Sequence, residues 1–188
     1  MISDLVRKSR TYRRFYQNVP LTEEMLRGLV DLARLSPSGR NAQPLKYMIS
    51  WKPEMNEKIF PMLAWAGYLK DWGGPVEGER PTGYIIILGD KEIANNYGID
   101  HGIASQSIML GAVEQGLGGC IIQSVRRTEL CQVLNISERY EILLVLALGK
   151  PKEEVVIEPI GPDGDIMYYR DANQVHHVPK RSLDDIIL

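Results

Sequence analysis

YEILLVLALG, residues 140–149, contains the longest aliphatic run of the chain, from Ile142 to Leu148. Aliphatic and β-branched residues in this density are typical of a buried strand, and the run is far too short to cross a bilayer. YIIILG, residues 84–89, has the same character and predicts a second buried strand. We therefore expect a fold built around a sheet.

Helices and strands alternate on both sides of these runs. Apolar residues at helical spacing predict a helix from the N-cap Thr22 to Ser36–Pro37, a second helix over residues 54–65 and a short one after Arg126. A long helix is expected to end at Gly116 and to face the core through Ile99, Ile103, Leu110 and Val113. Further strands are predicted over residues 46–51, 119–124 and, as an edge strand, 153–159. The interleaving predicts an α+β, or α/β-like, three-layer fold with helices covering the sheet.

The composition is that of an ordinary soluble domain. A chain of 188 residues with 44% hydrophobic and 24% charged residues predicts one domain over 1–188. The net charge of −2 argues against a nucleic-acid or membrane surface. The first ten residues lack the apolar stretch of a secretory signal, and neither Cys120 nor Cys131 lies in a metal-ligand or redox spacing. We therefore expect a cytoplasmic protein with reduced thiols.

SRTYRRF, residues 9–15, is the first segment that suggests chemistry. It places Arg10, Thr11, Arg13 and Arg14 close together, and guanidinium forks beside a hydroxyl are suited to binding a phosphate. A basic helix end in contact with water explains the same pattern, so both interpretations stay open at this point.

SPSGRNAQP, residues 36–44, is a second candidate. Pro37 and Pro44 restrict the backbone and Gly39 permits close approach, while Ser38, Asn41 and Gln43 offer donors and acceptors for a planar polar heterocycle. A simple helix-to-strand turn uses the same residue types.

Two further stretches complete the set. GLGGCIIQS, residues 116–124, leads from a helix end into a strand, where it either presents backbone amides to a ligand or caps the helix with Gly116.

HHVPKRSL, residues 176–183, contains Lys180 and Arg181. This segment is either an arm that packs against another surface or a solvated tail. His176 and His177 would point to opposite faces of a strand, so no metal site is expected. No hydrolase motif is present, and no side chain is predicted to be catalytic.

Taken in order, the four segments resemble the nitroreductase family of FMN-dependent oxidoreductases over nearly the whole chain. The family's opening motif, with its basic and hydroxyl residues and a following Phe, is matched by Arg10, Thr11, Arg13 and Phe15. Its PSxxNxQPW segment is matched by Pro37, Ser38, Asn41, Gln43 and Pro44, with Leu45 in place of Trp. Its GLG segment is matched by Gly116, Leu117 and Gly118, and its closing basic pair by Lys180 and Arg181.

The resemblance implies a central, mostly antiparallel sheet flanked by helices, and a homodimer with FMN at the interface. Arg10, Thr11, Lys180 and Arg181 would clamp the phosphate, and Arg13 would lie near the ribityl chain and the pyrimidine edge, where positive charge stabilises reduced flavin. The strand end with Ile122, Gln123 and Ser124 would face N5 of the flavin. The loop with Pro37, Ser38, Gly39, Asn41 and Gln43 would complete the partner's site, and the C-terminal arm would embrace the partner.

The implied activity is reduction of a nitroaromatic, quinone or similar electron-poor small molecule by NAD(P)H, in ping-pong order. Trp65, Tyr68 and Trp72, in a long loop over residues 65–83, are candidates for the acceptor pocket, although core aromatics beneath a loop explain them equally well. Reductive dehalogenation or flavin fragmentation on the same fold is an alternative. A non-catalytic module that binds an anionic partner is a third.

Overall fold

The computed structural model describes all 188 residues. The helices are α1 (Ile2–Lys8), α2 (Glu23–Arg34), α3 (Pro53–Ile59), α4 (Asp100–Glu114) and α5 (Arg127–Leu134). The strands are β1 (Leu45–Ser50), β2 (Gly83–Asp90), β3 (Gly118–Ile122), β4 (Tyr140–Gly149), β5 (Val155–Pro159), β6 (Tyr169–Arg170) and β7 (His176–Lys180). Short 3-10 turns occupy Gly39–Asn41 and Phe60–Met62. None of the helices combines the length and the apolar character that crossing a membrane requires.

The main sheet has the strand order β1-β2-β4-β3, and every neighbouring pair is antiparallel. The two most apolar runs of the sequence form its central strands, β2 and β4. Helices cover both faces of these two strands. This explains why their sequences are continuously apolar and do not alternate between apolar and polar residues.

Each face of the sheet carries its own core. Ile85, Ile87 and Leu146 pack beneath α2 and α4, whereas Ile86 and Val145 pack on the side of α3 and α5. A bulge between Ile87 and Leu88 shifts the pairing of β2 with β4 by one residue. The three-layer α+β fold predicted from the sequence is therefore confirmed.

The predicted core face of α4 is wrong. Ile99 lies before the helix and is 74% exposed, and Ile103, Leu110 and Val113 are only partly buried. The core face instead consists of Ala104, Ile108, Met109 and Ala112. Small residues on this face let the helix approach α2 closely: a Cβ added to Gly111 would lie 2.2 Å from a methyl carbon of Leu32. Ile103, Leu110 and Val113, which set the predicted periodicity, lie outside this core face.

The predicted helix over residues 54–65 is also shorter in the structure. It ends at Ile59 and continues only as the 3-10 turn Phe60–Met62. Pro61 explains this end, because it has no backbone N–H with which to continue the α-helical hydrogen-bond pattern. Trp65 consequently lies in the following loop.

The C-terminal region only partly matches the expected extended arm. β5 forms as predicted, but it pairs in parallel with β7, which pairs in turn with β6, to give a small second sheet on the same chain. The residues beyond β7 extend from this sheet and expose apolar side chains, with Leu183, Ile186 and Ile187 each more than half exposed.

Candidate functional site

The N-terminal segment, residues 9–15, lies beside the edge strand β3. Thr11 forms a parallel bridge with Gly119, and the Tyr12 backbone N–H donates to the Gly119 carbonyl at 2.9 Å. Glycine is required for this approach at Gly118, where a Cβ would lie 2.4 Å from the Tyr12 ring. At Gly119 a Cβ would instead lie 2.5 Å from the carbonyl oxygen of Ala147 in the neighbouring strand β4. The glycine-rich stretch therefore positions the basic segment.

Gly116 has a different role. Its φ of +69° and the hydrogen bond from the Leu117 N–H to the Ala112 carbonyl make it the glycine that ends α4. Of the two interpretations left open for this residue, the helix cap is the one that the structure shows.

Side chains from both ends of the chain line one cavity of about 280 Å³, which we name the basic cleft. Its lining residues come from the N-terminal segment and from the small C-terminal sheet: Ser9, Arg10, Thr11, Arg13, Tyr168, His176, Val178 and Lys180. Arg10, Arg13 and Lys180 form no ion pair with any carboxylate of the chain. The Nε of Arg10 is buried without a hydrogen-bond acceptor. The basic cleft is thus suited to an anion.

Arg13 is held at the base of the basic cleft by His176. The guanidinium NH1 lies 3.2 Å from His176 Nε2, and the guanidinium stacks over the Tyr168 ring at 4.7 Å. Burial, together with the positive charges of Arg13 and Arg170, lowers the pKa of His176 to about 4. The imidazole is therefore neutral at pH 7 and accepts from the guanidinium, which can only donate. The proton then resides on Nδ1, which has no partner.

A buried carboxylate, Glu153, supports the same segment from behind. It accepts hydrogen bonds from the backbone N–H groups of Arg13 and Arg14 and pairs with Arg170 at 2.9 Å. Arg170 in turn lies over the Trp72 ring at 4.2 Å. Glu153 thus fixes the backbone of the N-terminal segment and places one negative charge behind the cluster of guanidinium groups.

The register of β7 decides which of its side chains enter the basic cleft. His176, Val178 and Lys180 lie on the cleft face at every second position. His177 points the other way, where its Nδ1 lies 2.9 Å from Glu158, so the two histidines occupy opposite faces as the sequence predicts. Arg181 follows the end of the strand, is exposed and does not line the cleft.

A second cavity of about 220 Å³, which we name the ring cleft, shares Arg13 with the basic cleft. Its other walls are the loop Ala64–Gly67, which includes Trp65, and the strand end with Ile122, Gln123 and Ser124. The Ala64 N–H donates to the Ser124 carbonyl at 2.9 Å, which holds the loop against the strand. Arg13 therefore borders both clefts.

The remaining aromatics of the 65–83 loop do not line the ring cleft. Tyr68 packs against Tyr168 with ring centroids 4.9 Å apart, and Trp72 carries the guanidinium of Arg170. The loop is therefore anchored to the C-terminal segment through these two residues. Trp65 alone, of the three aromatics predicted for an acceptor pocket, faces the cavity.

The polar loop over residues 36–44 lies apart from both clefts. Ser38 donates to Asp100 at 2.6 Å and accepts from the Gln43 N–H at 2.9 Å, while the Gly39 N–H donates to Asp100 at 2.9 Å. Pro37, Ser38 and Gln43 line a separate cavity of about 360 Å³. Asn41 and Gln43 have positive φ angles and are exposed, so the loop is held in a strained conformation at the surface. Within one chain it does not meet the basic cleft.

Several residues of the site were not predicted from the sequence, among them Tyr168, His176 as a cleft residue, and Glu153. For His176 a signal existed, because it shares the two-residue period of Val178 and Lys180. For Glu153 and Tyr168 no local pattern marks the contact with a segment at the other end of the chain.

Comparisons with known proteins find similarity to the nitroreductase family. The nitroreductase family model matches residues 78–150. A protein of Methanothermobacter thermautotrophicus, named as an NADH dehydrogenase/NAD(P)H nitroreductase, is 29% identical over 153 residues, covering 78% of this chain and 75% of its own. An iodotyrosine deiodinase of Thermotoga neapolitana is 26% identical over 171 residues, covering 81% and 90%.

Solved structures show the same fold. An FMN-dependent nitroreductase from Clostridium difficile superposes with a TM-score of 0.65 at 23% identity, covering 82% of this chain and 89% of its own. A nitroreductase from Bacillus subtilis superposes with a TM-score of 0.68 at 17% identity, covering all of this chain and 97% of its own.

Proposed function

We propose that this chain, which is similar to oxidoreductases of the nitroreductase family, uses FMN and NAD(P)H to reduce an electron-poor small molecule. The proposal rests mainly on one observation: Arg13 lines both the basic cleft and the ring cleft. The basic cleft contains cations without an ion-pair partner, and the ring cleft has the flat aromatic side chain of Trp65 in its wall. A phosphate ester joined to a planar ring matches this pair of environments.

The residues of the basic cleft fit the phosphate end. Arg10 and Lys180 supply charge that no carboxylate of the chain neutralises, the Nε of Arg10 lacks an acceptor, and Thr11 offers a hydroxyl. A phosphate dianion would satisfy these groups together. Arg181, exposed beyond β7, would contribute to the surrounding field rather than to the cleft wall.

The ring cleft fits the other end. Arg13 would place positive charge beside the ring system, the backbone at Ile122, Gln123 and Ser124 would supply polar groups at its edge, and Trp65 would give a flat apolar wall. When bound, FMN would supply the redox chemistry for a ping-pong reaction with NAD(P)H as the electron donor and a nitroaromatic or quinone as the acceptor. The protein's part is to bind, orient and restrict access, and no side chain needs to act as acid or base.

We further propose that two copies associate, so that the loop over residues 36–44 of each completes the site of the other. Its exposed, strained backbone supports this arrangement, as do the exposed apolar residues Ile99, just before α4, and Leu183, in the C-terminal segment. Light scattering with flavin quantification tests it. A dimer with one FMN per chain is expected, and a monomer that retains stoichiometric FMN would contradict it.

Reductive dehalogenation is the second candidate, supported by the relative named as an iodotyrosine deiodinase. One experiment separates the two candidates. The purified protein is scanned in the flavin bands, reduced anaerobically with NADH or NADPH, and then mixed with menadione, a nitroaromatic or an iodinated phenol. Rapid reoxidation by the quinone and the nitroaromatic supports the first proposal, whereas reoxidation only with iodide release supports the second. A colourless protein that binds no added FMN would contradict both.

A further inference from the structure

We propose that a further cavity, which shares no lining residue with the basic cleft or the ring cleft, binds a small planar monocarboxylate. The cavity lies between α3 and the start of β2 and has a volume of about 150 Å³. Cavities of about this size admit a single benzene ring. Its walls include Trp51, Asn56, Phe60, Arg80 and Tyr84.

Arg80 is the cation of this cavity and has no anionic partner. Its guanidinium makes no hydrogen bond or ion pair, its Nε is buried, and its one aromatic contact is the Phe60 ring at 4.5 Å. Its neighbour in sequence, Glu79, is already paired with Arg14 at 2.6 Å. The planar fork of Arg80 is therefore free to donate two parallel hydrogen bonds, which is the geometry that a carboxylate accepts.

Tyr84 supplies a second unsatisfied group. The residue is fully buried, it lines the cavity, and its hydroxyl has no hydrogen-bond partner. Burial raises its pKa above the ordinary value, and the positive charge of Arg80 acts in the opposite direction, so the hydroxyl stays protonated and can donate. An unpaired buried hydroxyl is destabilising, and a ligand oxygen would relieve that cost.

The remaining walls select the rest of the ligand. Trp51 and Phe60 provide apolar surface for a flat ring. The amide of Asn56 is already used, since it accepts from Ser50 and donates to the Thr82 carbonyl. Glu57, exposed at the rim, disfavours a dianion such as phosphate. The chemistry therefore favours an aromatic monocarboxylate.

Calorimetric titration of the full-length protein with benzoate, benzamide and inorganic phosphate tests the proposal. Benzoate is expected to bind saturably, and benzamide, its neutral isostere, at least tenfold more weakly. Phosphate is expected not to compete, because it would occupy the basic cleft. The absence of saturable benzoate binding, equal binding of benzamide, or displacement of benzoate by phosphate would overturn the proposal.

Variants of the cavity residues test whether benzoate binds in this cavity. R80Q is expected to lower benzoate affinity at least tenfold and Y84F several-fold, each with a cooperative melting transition that shows an intact fold. K58Q, which removes an exposed charge on α3 outside the cavity, serves as the matched control and is expected to bind as the native protein does. Undiminished affinity in R80Q would place benzoate in another site, such as the ring cleft, and would overturn the proposal.

Discussion

The guanidinium of Arg13 lies 3.2 Å from Nε2 of His176, although 163 positions separate the two residues in the chain. This contact joins the N-terminal segment to the small C-terminal sheet at the point where the basic cleft and the ring cleft meet. The geometry of the candidate site therefore depends on how the two ends of the chain are held together.

Arg13→Ala is expected to lower FMN affinity roughly 10- to 100-fold, because one or two charge-assisted hydrogen bonds and their charge are lost. The flavin content of the purified protein and a titration with FMN measure the effect. Arg27→Ala is the matched control, since Arg27 is exposed on α2 and pairs only with Glu23 of the same helix. An Arg13→Ala protein with a full complement of tightly bound FMN would show that Arg13 does not contact the cofactor.

Glu153→Gln is expected to destabilise the protein by about 3–5 kcal/mol, because it leaves buried guanidinium charge without its counterion. The pairing of Glu153 with Arg170 and with two backbone N–H groups would be weakened together. Denaturant unfolding measures the change. Glu154→Gln, at the adjacent exposed position, removes the same charge without these contacts and should leave the unfolding midpoint nearly unchanged. Equal effects of the two substitutions would refute the role assigned to Glu153.

Two glycine-to-alanine substitutions should have opposite effects on the stability of the protein. At Gly119 an added Cβ would lie 2.5 Å from the carbonyl oxygen of Ala147 in β4, so β3 and β4 must move apart and the protein is expected to lose stability. At Gly28, inside α2, the Cβ meets no atom within 4 Å, and the substitution is expected to stabilise by about 0.5–1 kcal/mol. Melting temperatures of the two variants test this, and a stabilised Gly119→Ala would contradict the described close approach.

The two adjacent histidines of β7 should respond to pH in opposite senses. The hydrogen bond with Glu158 raises the pKa of His177 above 6.5, so its contribution to stability is fully present below pH 6.5 and is lost as the pH rises through the raised value. Burial lowers the pKa of His176 to about 4, so stability is lost as the pH falls from 6.5 towards 4.

His177→Gln separates the contribution of His177 to this pH dependence from that of His176. The variant should lack the contribution of His177 to the loss of stability above pH 6.5, while the loss at acid pH, to which His176 contributes, should persist. Unfolding midpoints measured from pH 4 to pH 9 compare the two proteins. Parallel profiles across the whole range would show that the pairing of His177 with Glu158 makes no contribution.

The strands could be predicted from the sequence because both faces of the sheet are covered. The run from Tyr140 to Gly149 coincides with β4, and the predicted strand over 84–89 lies within β2. The core face of α4 could not be predicted in the same way. Its buried residues include Ala104 and Ala112, which carry little signal, while Ile99 and Ile103 carry a strong signal and lie outside the core.

Residues of the candidate site could be predicted from the sequence only where an unusual combination of residue types occurs within a short stretch. The basic segment around Arg13 and the pair Lys180–Arg181 stand out in this way, although the strand register places only Lys180 in the cleft. Glu153 and Tyr168 do not stand out, because their role arises from contacts between segments far apart in the chain. The 36–44 loop has the residues of a binding loop, but within one chain Ser38 is bonded to Asp100 and lies apart from the basic cleft.

The central claim is that cations from both ends of the chain hold one phosphate. The affinities of FMN and riboflavin, which differ only in that phosphate, test it most directly in the native protein and in Lys180→Ala. We expect the native protein to bind FMN far more tightly than riboflavin, and the variant to lose roughly 10- to 100-fold in FMN affinity while riboflavin affinity stays the same. Equal affinities of the native protein for the two flavins, or an unchanged FMN affinity in Lys180→Ala, would contradict the account.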